Sequence, residues 1–247
     1  MKAMILAAGL GTRLRPHTNY YPKALIPVND IPLLEIMIRR LKHFGVTDII
    51  VNVHHFGEQI ISFLEKNNHF DINIKVSDER DQLLNTGGGV KKAGWFFEDG
   101  APFLLCNTDI LTNLDLNKFY QAHLASDALV TLAVRKRETS RYLIFSEDKK
   151  MQGWVNIKTG KMILRRSHPG NCELMAFSGL HIIDPKIFKM MPKEDSFSII
   201  DVYLDLAANN NLRAYDDDAS VWLDVGKPEN LIKASTLLND ILEEQKS

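Results

Sequence analysis

Met1-Lys2-Ala3-Met4-Ile5-Leu6-Ala7-Ala8-Gly9-Leu10-Gly11-Thr12-Arg13-Leu14-Arg15-Pro16 is the stretch that decides the fold class. Ala3 to Ala8 is apolar on both faces, the pattern of a strand buried inside a parallel sheet. The run is far shorter than the roughly 18 apolar residues of a membrane span, and arginines follow at once, so it reads as a first strand and not as a leader. Glycines without a Cβ let backbone N–H groups approach a phosphate closely. Arg13 and Arg15 add forked donors for phosphate oxygens, and Lys23, held behind Pro22, supplies a further cation.

Strand and helix patterns alternate outward from this loop. Leu33, Leu34, Met37, Ile38 and Leu41 share one helical face, with Asn29 or Asp30 as candidate caps. Strands are expected at 48–53, 72–76 and 103–107, a helix at 59–66, and a helix after Gly89. Such alternation implies βαβ units and a parallel sheet, on which ligands bind at the carboxyl ends of strands. The second half is richer in short β segments, at 128–134, 142–146, 154–157, 161–164 and 174–183. Helical periods follow at 198–208 and after Pro228. The expected organisation is one compact α/β domain, 1–247, made of lobes 1–115 and 116–247.

Composition narrows the function classes. With 30 basic and 31 acidic residues the formal net charge is −1, so nothing favours holding a nucleic-acid backbone. No membrane segment is expected, and the chain is expected to be cytoplasmic, with room left for a homo-oligomer. The two cysteines, Cys106 and Cys172, are too few for a disulfide scaffold and are expected in apolar surroundings. The glycine loop is not a dinucleotide fingerprint, because Leu14 stands where the third glycine belongs. It is not a Walker loop either, because no Gly-Lys-Ser/Thr follows.

Leu6-Ala7-Ala8-Gly9-Leu10-Gly11-Thr12-Arg13-Leu14-Arg15-Pro16, followed by Pro22-Lys23, resembles the signature of the sugar-1-phosphate nucleotidyltransferases, or sugar-nucleotide pyrophosphorylases. The resemblance implies a Rossmann-like three-layer α/β/α fold with a mixed, mostly parallel sheet. It also implies transfer of a nucleoside monophosphate from an NTP to a sugar 1-phosphate, with Mg²⁺ and release of pyrophosphate. Lobe 1–115 would bind the nucleotide and lobe 116–247 the sugar.

By that resemblance Leu6, Ala8, Gly9, Gly11, Thr12, Arg13 and Lys23 would hold the nucleotide, with Arg13 and Lys23 catalytic. Asn85, Thr86, Gly87 and Gly88 resemble the loop that holds the base, where side-chain-free backbone lies against a flat ring. Asp109 and Asp224 each end an apolar strand and resemble paired Mg²⁺ ligands; hard carboxylate oxygens suit that ion. Asn107 is placed at the nucleotide ribose or the sugar, Ser178 and Gly179 at the sugar, and Arg141 at the sugar by its position alone. His54 and His55 follow a strand as an adjacent pair, a spacing that faces neighbours opposite ways on a strand and lacks metal-ligand geometry, and are read as structural or surface residues. Asp216-Asp217-Asp218 is read as a solvated turn.

The chemistry fits these groups. A phosphomonoester is already largely ionised at neutral pH, its second pKa being about 6, so no general base is needed. What must be overcome is repulsion between two anions. Ile163-Leu164-Arg165-Arg166-Ser167-His168-Pro169 stands where commoner members carry a Glu-Lys-Pro-like segment. The Thr86-Gly87-Gly88-Gly89 and Phe177-Ser178-Gly179 stretches look most like the uridylyltransferases of N-acetylmuramate 1-phosphate, which implies UTP. Mannose- or heptose-1-phosphate guanylyltransferases and glucose-1-phosphate thymidylyl- or uridylyltransferases are the alternatives. A subunit of the same fold without turnover would be free to lose Arg13, Lys23, Asp109 or Asp224, and all four are present.

Overall fold

The computed structural model describes residues 1–166 and 170–244; positions 167–169 of the segment replacing the Glu-Lys-Pro pattern lie outside the described residues. The chain divides into two units, Met1–Leu84 with Leu105–Asn113 and Val221–Ser247, and Asn85–Leu104 with Leu114–Ser220. The lobes expected at 1–115 and 116–247 are therefore interleaved in sequence. The triglycine segment belongs with the second unit and the C-terminal helix with the first.

In the first unit β1 (Lys2–Leu6), β4 (Asp48–Val53) and β5 (Asn73–Asp78) pair in parallel, with Ala3 opposite Ile49 and Ile49 opposite Ile74. The end of β6 (Phe103–Asn107) lies on the other side of β1. Helices α1 (Leu33–His43) and α2 (Gly57–Lys66) provide the crossovers such parallel strands require. Asn29 and Asp30 do not cap α1. Both have positive φ, 48° and 62°, and make the turn between β2 (Pro27–Val28) and β3 (Ile31–Pro32). Asn and Asp tolerate that left-handed conformation, and Pro32 takes the cap position. Helix α6 (Pro228–Glu244) sets Ala234, Leu238 and Ile241 into a cluster with Leu14, Leu33, Ile36, Leu111 and Val225. That shared apolar burial ties the end of the chain to the glycine loop.

The second unit is built on β12 (Cys172–Ile183), antiparallel to both β8 (Val130–Arg135) and β9 (Arg141–Ser146). β9 continues antiparallel to β10 (Met151–Asn156), and β10 to β11 (Lys161–Leu164). The turns fall at Lys149 and Gly160, with φ of 63° and 71°. β13 (Leu212–Asp216) joins β8 in parallel, so the sheet is mixed. Helices α3 (Asn85–Lys92) and α5 (Ile199–Ala207) pack on each other, and α4 (Leu116–Leu124) is capped by Asp115, which accepts from Lys118 N at 2.9 Å.

Two smaller expectations are corrected. Cys106 is buried, and burial pushes its thiol up to about 12, but Cys172 is exposed. Asp217 is not solvated: its side chain is fully buried, 3.9 Å from Arg135, and accepts from the Ser220 hydroxyl. A buried carboxylate needs such partners.

Candidate active site

The glycine loop expected to hold phosphate is shaped by Gly11. Its φ is +62°, and a Cβ there would lie 2.8 Å from Thr18 Cγ2 and 2.9 Å from Lys23 Cβ. Thr18 Oγ1 donates to the Gly11 carbonyl at 2.8 Å. Conformation and space thus both require glycine, and the close approach brings Lys23 against the loop. Gly9 differs, because nothing stands within 4 Å of where its Cβ would be. Thr12 and Arg13 start a short 3₁₀ turn and are exposed.

The exit of β1 is held from two sides. Asn52 Oδ1 accepts from Ala7 N at 2.7 Å and Ala8 N at 3.3 Å, and its Nδ2 donates to Glu79 Oε1 at 2.7 Å. The Leu6 carbonyl accepts from Thr108 N at 3.4 Å and from the Thr108 hydroxyl. Asn52 and Glu79 are almost fully buried, where a hydrogen bond between polar side chains helps specify one geometry. His54 Nδ1 lies 2.6 Å from the Glu79 carbonyl, the structural role expected of it.

Asp109 immediately precedes β7 (Ile110–Thr112), and Asp224 ends β14 (Trp222–Asp224). These two short strands pair antiparallel with Asp224 opposite Ile110, so the ladder brings two carboxylates distant in sequence side by side. Lys23 Nζ bonds Asp109 Oδ2. Arg13 places Nη2 at 3.9 Å from Asp109 Oδ2 and Nη1 at 3.4 Å from Asp224 Oδ2. Gly226 sits among them: a Cβ there would lie 2.6 Å from Asp109 Oδ2, 2.8 Å from Arg13 Nη2 and 2.8 Å from Asp224 Oδ1. The turn is pinned by Gly226 N donating to Asp224 Oδ1, Val225 N to the Asp109 carbonyl and Asn230 Nδ2 to the Asp224 carbonyl, at 2.8, 2.8 and 2.7 Å.

The donors suit Mg²⁺, a hard cation commonly bound by one or two carboxylates with waters and substrate phosphates. Among the described residues no group of three or more His, Cys, Asp or Glu could hold a metal, so Asp109 and Asp224 would share it with phosphate oxygens and water. Arg13 and Lys23 offset the carboxylate charge, and both are residue types that bind phosphate oxygens.

In the second unit the Asn85–Gly89 stretch is not a loop. Gly87, Gly88 and Gly89 are buried inside α3. Gly87 N and Gly88 N both donate to the Phe197 carbonyl, at 2.8 and 3.3 Å, and Thr86 Oγ1 accepts from Ile199 N at 3.0 Å. A Cβ on Gly87 would lie 2.4 Å from the Phe197 ring. Gly87 leaves room for the Phe197 ring, and the Gly87 and Gly88 N–H groups are already engaged by the Phe197 carbonyl. Ser178 and Gly179 fall where the β12–β8 register breaks between Phe177 and His181, and Gly179 has φ of +86°. Arg141 opens β9 on the rim of a cavity, and Asn107 is the half-buried last residue of β6.

Sequence reading missed Gly226, Thr18, Asn52 and Glu79. Asn52 carried a signal, a polar residue near the carboxyl end of a buried parallel strand, which is where such sheets bind ligands.

Residues 2–241 match the nucleotidyl transferase family model, and the chain belongs to that family. It is 31% identical to an N-acetylmuramate alpha-1-phosphate uridylyltransferase of Caulobacter vibrioides over 96% of both chains. It is 28% identical to a mannose-1-phosphate guanyltransferase of Candida albicans over 96% of this chain. The chain spans only 60 to 64% of the length of some curated relatives, the Candida protein among them. A putative glucose-1-phosphate thymidylyltransferase from Bacillus anthracis, solved with a sucrose, superposes with a TM-score of 0.80 at 19% identity. That likeness covers 97% of this chain and 96% of the other, and it shows the shared Rossmann-like α/β fold. Among the described residues no helix is long and apolar enough to cross a membrane.

Proposed function

We propose that the protein is a cytoplasmic sugar-1-phosphate nucleotidyltransferase that transfers UMP from UTP to N-acetylmuramate 1-phosphate. The observation that carries the reaction class is the cluster of Asp109, Asp224, Arg13 and Lys23 around Gly226. Two carboxylates and two cations in one place serve a reaction in which negative charge must be gathered and moved. The choice of UMP and N-acetylmuramate 1-phosphate is favoured by the full-length relative of that name.

In this reading Gly9, Gly11 and Thr12 cradle the triphosphate. Arg13 offsets charge on the departing pyrophosphate, and Lys23 draws the α-phosphate and the incoming phosphate together. Mg²⁺, held by Asp109 and Asp224, would supply further charge neutralisation and polarise the phosphoryl group. The attacking phosphate oxygen is already anionic, so positioning and electrostatics carry the rate. Asn85 and Thr86, with the glycine face of Gly87 and Gly88, are assigned to the base. Asn107, Arg141, Ser178 and Gly179 are assigned to the sugar.

The test is pyrophosphate release with Mg²⁺ across UTP, dTTP, GTP, CTP and ATP, each against N-acetylmuramate, N-acetylglucosamine, glucose and mannose 1-phosphates. The highest kcat/KM is expected for UTP with the muramate compound. A preference for GTP with mannose 1-phosphate would replace the substrate pair, and no turnover with any combination would remove the reading.

A further inference from the structure

The register of β9, β10 and β11 puts Arg141 opposite Asn156 and Asn156 opposite Lys161. Directly opposed residues of an antiparallel sheet share a face. Arg141 and Lys161 are thus on one face, two strands or about 10 Å apart. Trp154, opposed to both Leu143 and Ile163, lies on the same face one pleat repeat further on. Helix α5 packs on β10, and helix and sheet enclose a cavity of about 330 Å³, lined among others by Arg141, Lys161, Trp154, Tyr142, Phe177 and Asp201. That volume is in the range of small-molecule sites, which combine apolar walls with a few placed polar groups.

The two cations distinguish this cavity. Elsewhere in the unit Arg165 pairs with Asp205 at 2.5 Å, Lys149 with Glu173 at 3.0 Å and Lys186 with Asp184 at 2.9 Å. Arg141 and Lys161 have no ion-pair partner among the described residues. Asn156, between them, is occupied: its Oδ1 accepts from Lys158 N and Thr159 N at 3.0 and 3.4 Å and holds the hairpin turn. The acidic group of the cavity, Asp201, lies in the first turn of α5, where the helix dipole favours a carboxylate.

We propose that Arg141 and Lys161 form an anion subsite that receives an acidic group of the second substrate, with its ring against Trp154. The proposal rests on the transferase reading for the identity of that molecule. Two groups on it have the required chemistry, the phosphate common to all sugar 1-phosphates and a carboxylate carried by the sugar itself. An arginine fork and a lysine suit either.

Both side chains are exposed, so Arg141→Gln and Lys161→Met are expected to fold, as circular dichroism and Tm would verify. Calorimetric Kd values for N-acetylmuramate 1-phosphate, N-acetylglucosamine 1-phosphate and N-acetylmuramate, with kcat and KM for the two 1-phosphates and UTP, make the test. Each substitution is expected to raise Kd and KM for the sugar compound by at least about ten-fold, with KM for UTP unmoved and salt sensitivity reduced. A loss shared by both 1-phosphates assigns the subsite to phosphate, and a loss confined to the two muramate compounds assigns it to the carboxylate. Unchanged Kd and KM for all three, an equal loss toward UTP, or no binding of any of them by the wild-type protein overturns the proposal. Wild-type binding without turnover would remove the transferase reading and leave the subsite. Turnover indifferent to both substitutions would do the reverse.

Discussion

Gly226 in the first unit and Gly87 in the second are both buried, and a Cβ on either would collide with its surroundings. The occupants differ. At Gly226 the Cβ would press on Asp109 Oδ2, Arg13 Nη2 and Asp224 Oδ1, the ends of charged side chains. At Gly87 it would enter the Phe197 ring and come within 2.9 Å of the Phe197 carbonyl oxygen. One glycine leaves room for charge to be arranged and the other leaves room for an aromatic ring and a carbonyl to pack on a helix. A glycine in a motif therefore announces close approach without saying to what.

The largest effect that separates the two regions is expected at the carboxylates. Asp109→Asn and Asp224→Asn should each lower kcat by about 10²–10³ with Tm little changed, measured by pyrophosphate release and calorimetry. Wild-type rates in both would make the first cluster as structural as the second. Gly226→Ala comes next. The side-chain ends it meets can swing away, so stability is largely kept, while displaced carboxylates cost about ten- to a hundredfold in kcat. If Tm falls and kcat per folded molecule does not, the distinction between the regions fails.

Gly87→Ala is expected to act in the opposite sense, destabilising by about 1–3 kcal/mol through overpacking against backbone and ring, read from urea midpoints. The packed character of the second unit also sets a pH dependence. His181 is fully buried against Tyr203 Oη at 2.8 Å, and burial lowers its pKa to about 3. The folded protein holds it neutral, while the unfolded chain protonates it below about pH 6.5. Its contribution is present above that pH and is lost on acidification, by about 1.4 kcal/mol per pH unit toward the folded value. Replacement by Gln should flatten Tm against pH between 7 and 5, and an unchanged slope would place the titration elsewhere. The smallest effect is expected at the glycine loop. Gly11→Ala should cost about 1–2 kcal/mol from its left-handed backbone alone, with the overlap on Thr18 and Lys23 adding to it, whereas Gly9→Ala should leave Tm unmoved and raise KM for the NTP. Equal Tm losses would show that Gly9 too is structural.

The parts of the candidate site that were legible have local signals: a buried strand followed by Gly9, Gly11, Arg13 and Lys23, and a carboxylate close to the end of each of two apolar strands. Asp109 does not end its strand as expected, because β6 stops at Asn107 and Asp109 lies in the turn before β7. Asn85–Gly89 was misread as a loop because glycine has low helix propensity. Packing of α3 on α5, and on Phe197 just before it, overrode that preference. Asn29 and Asp30 were misplaced as caps because the same residues suit caps and tight turns alike. The buried state of Asp217 depended on Arg135, far away in sequence.

The sequence by itself determined the class of fold and made the candidate glycine loop with its cations visible, since both follow from patterns within a few residues. Tertiary structure alone decided that β7 and β14 bring Asp109 beside Asp224 and that Gly226 leaves them space. It also decided that Asn52 and Glu79 hold the loop's origin and that Arg141 and Lys161 share one sheet face. The reason is physical: strand register and side-chain approach arise from pairings across long stretches of chain, and no local pattern encodes them.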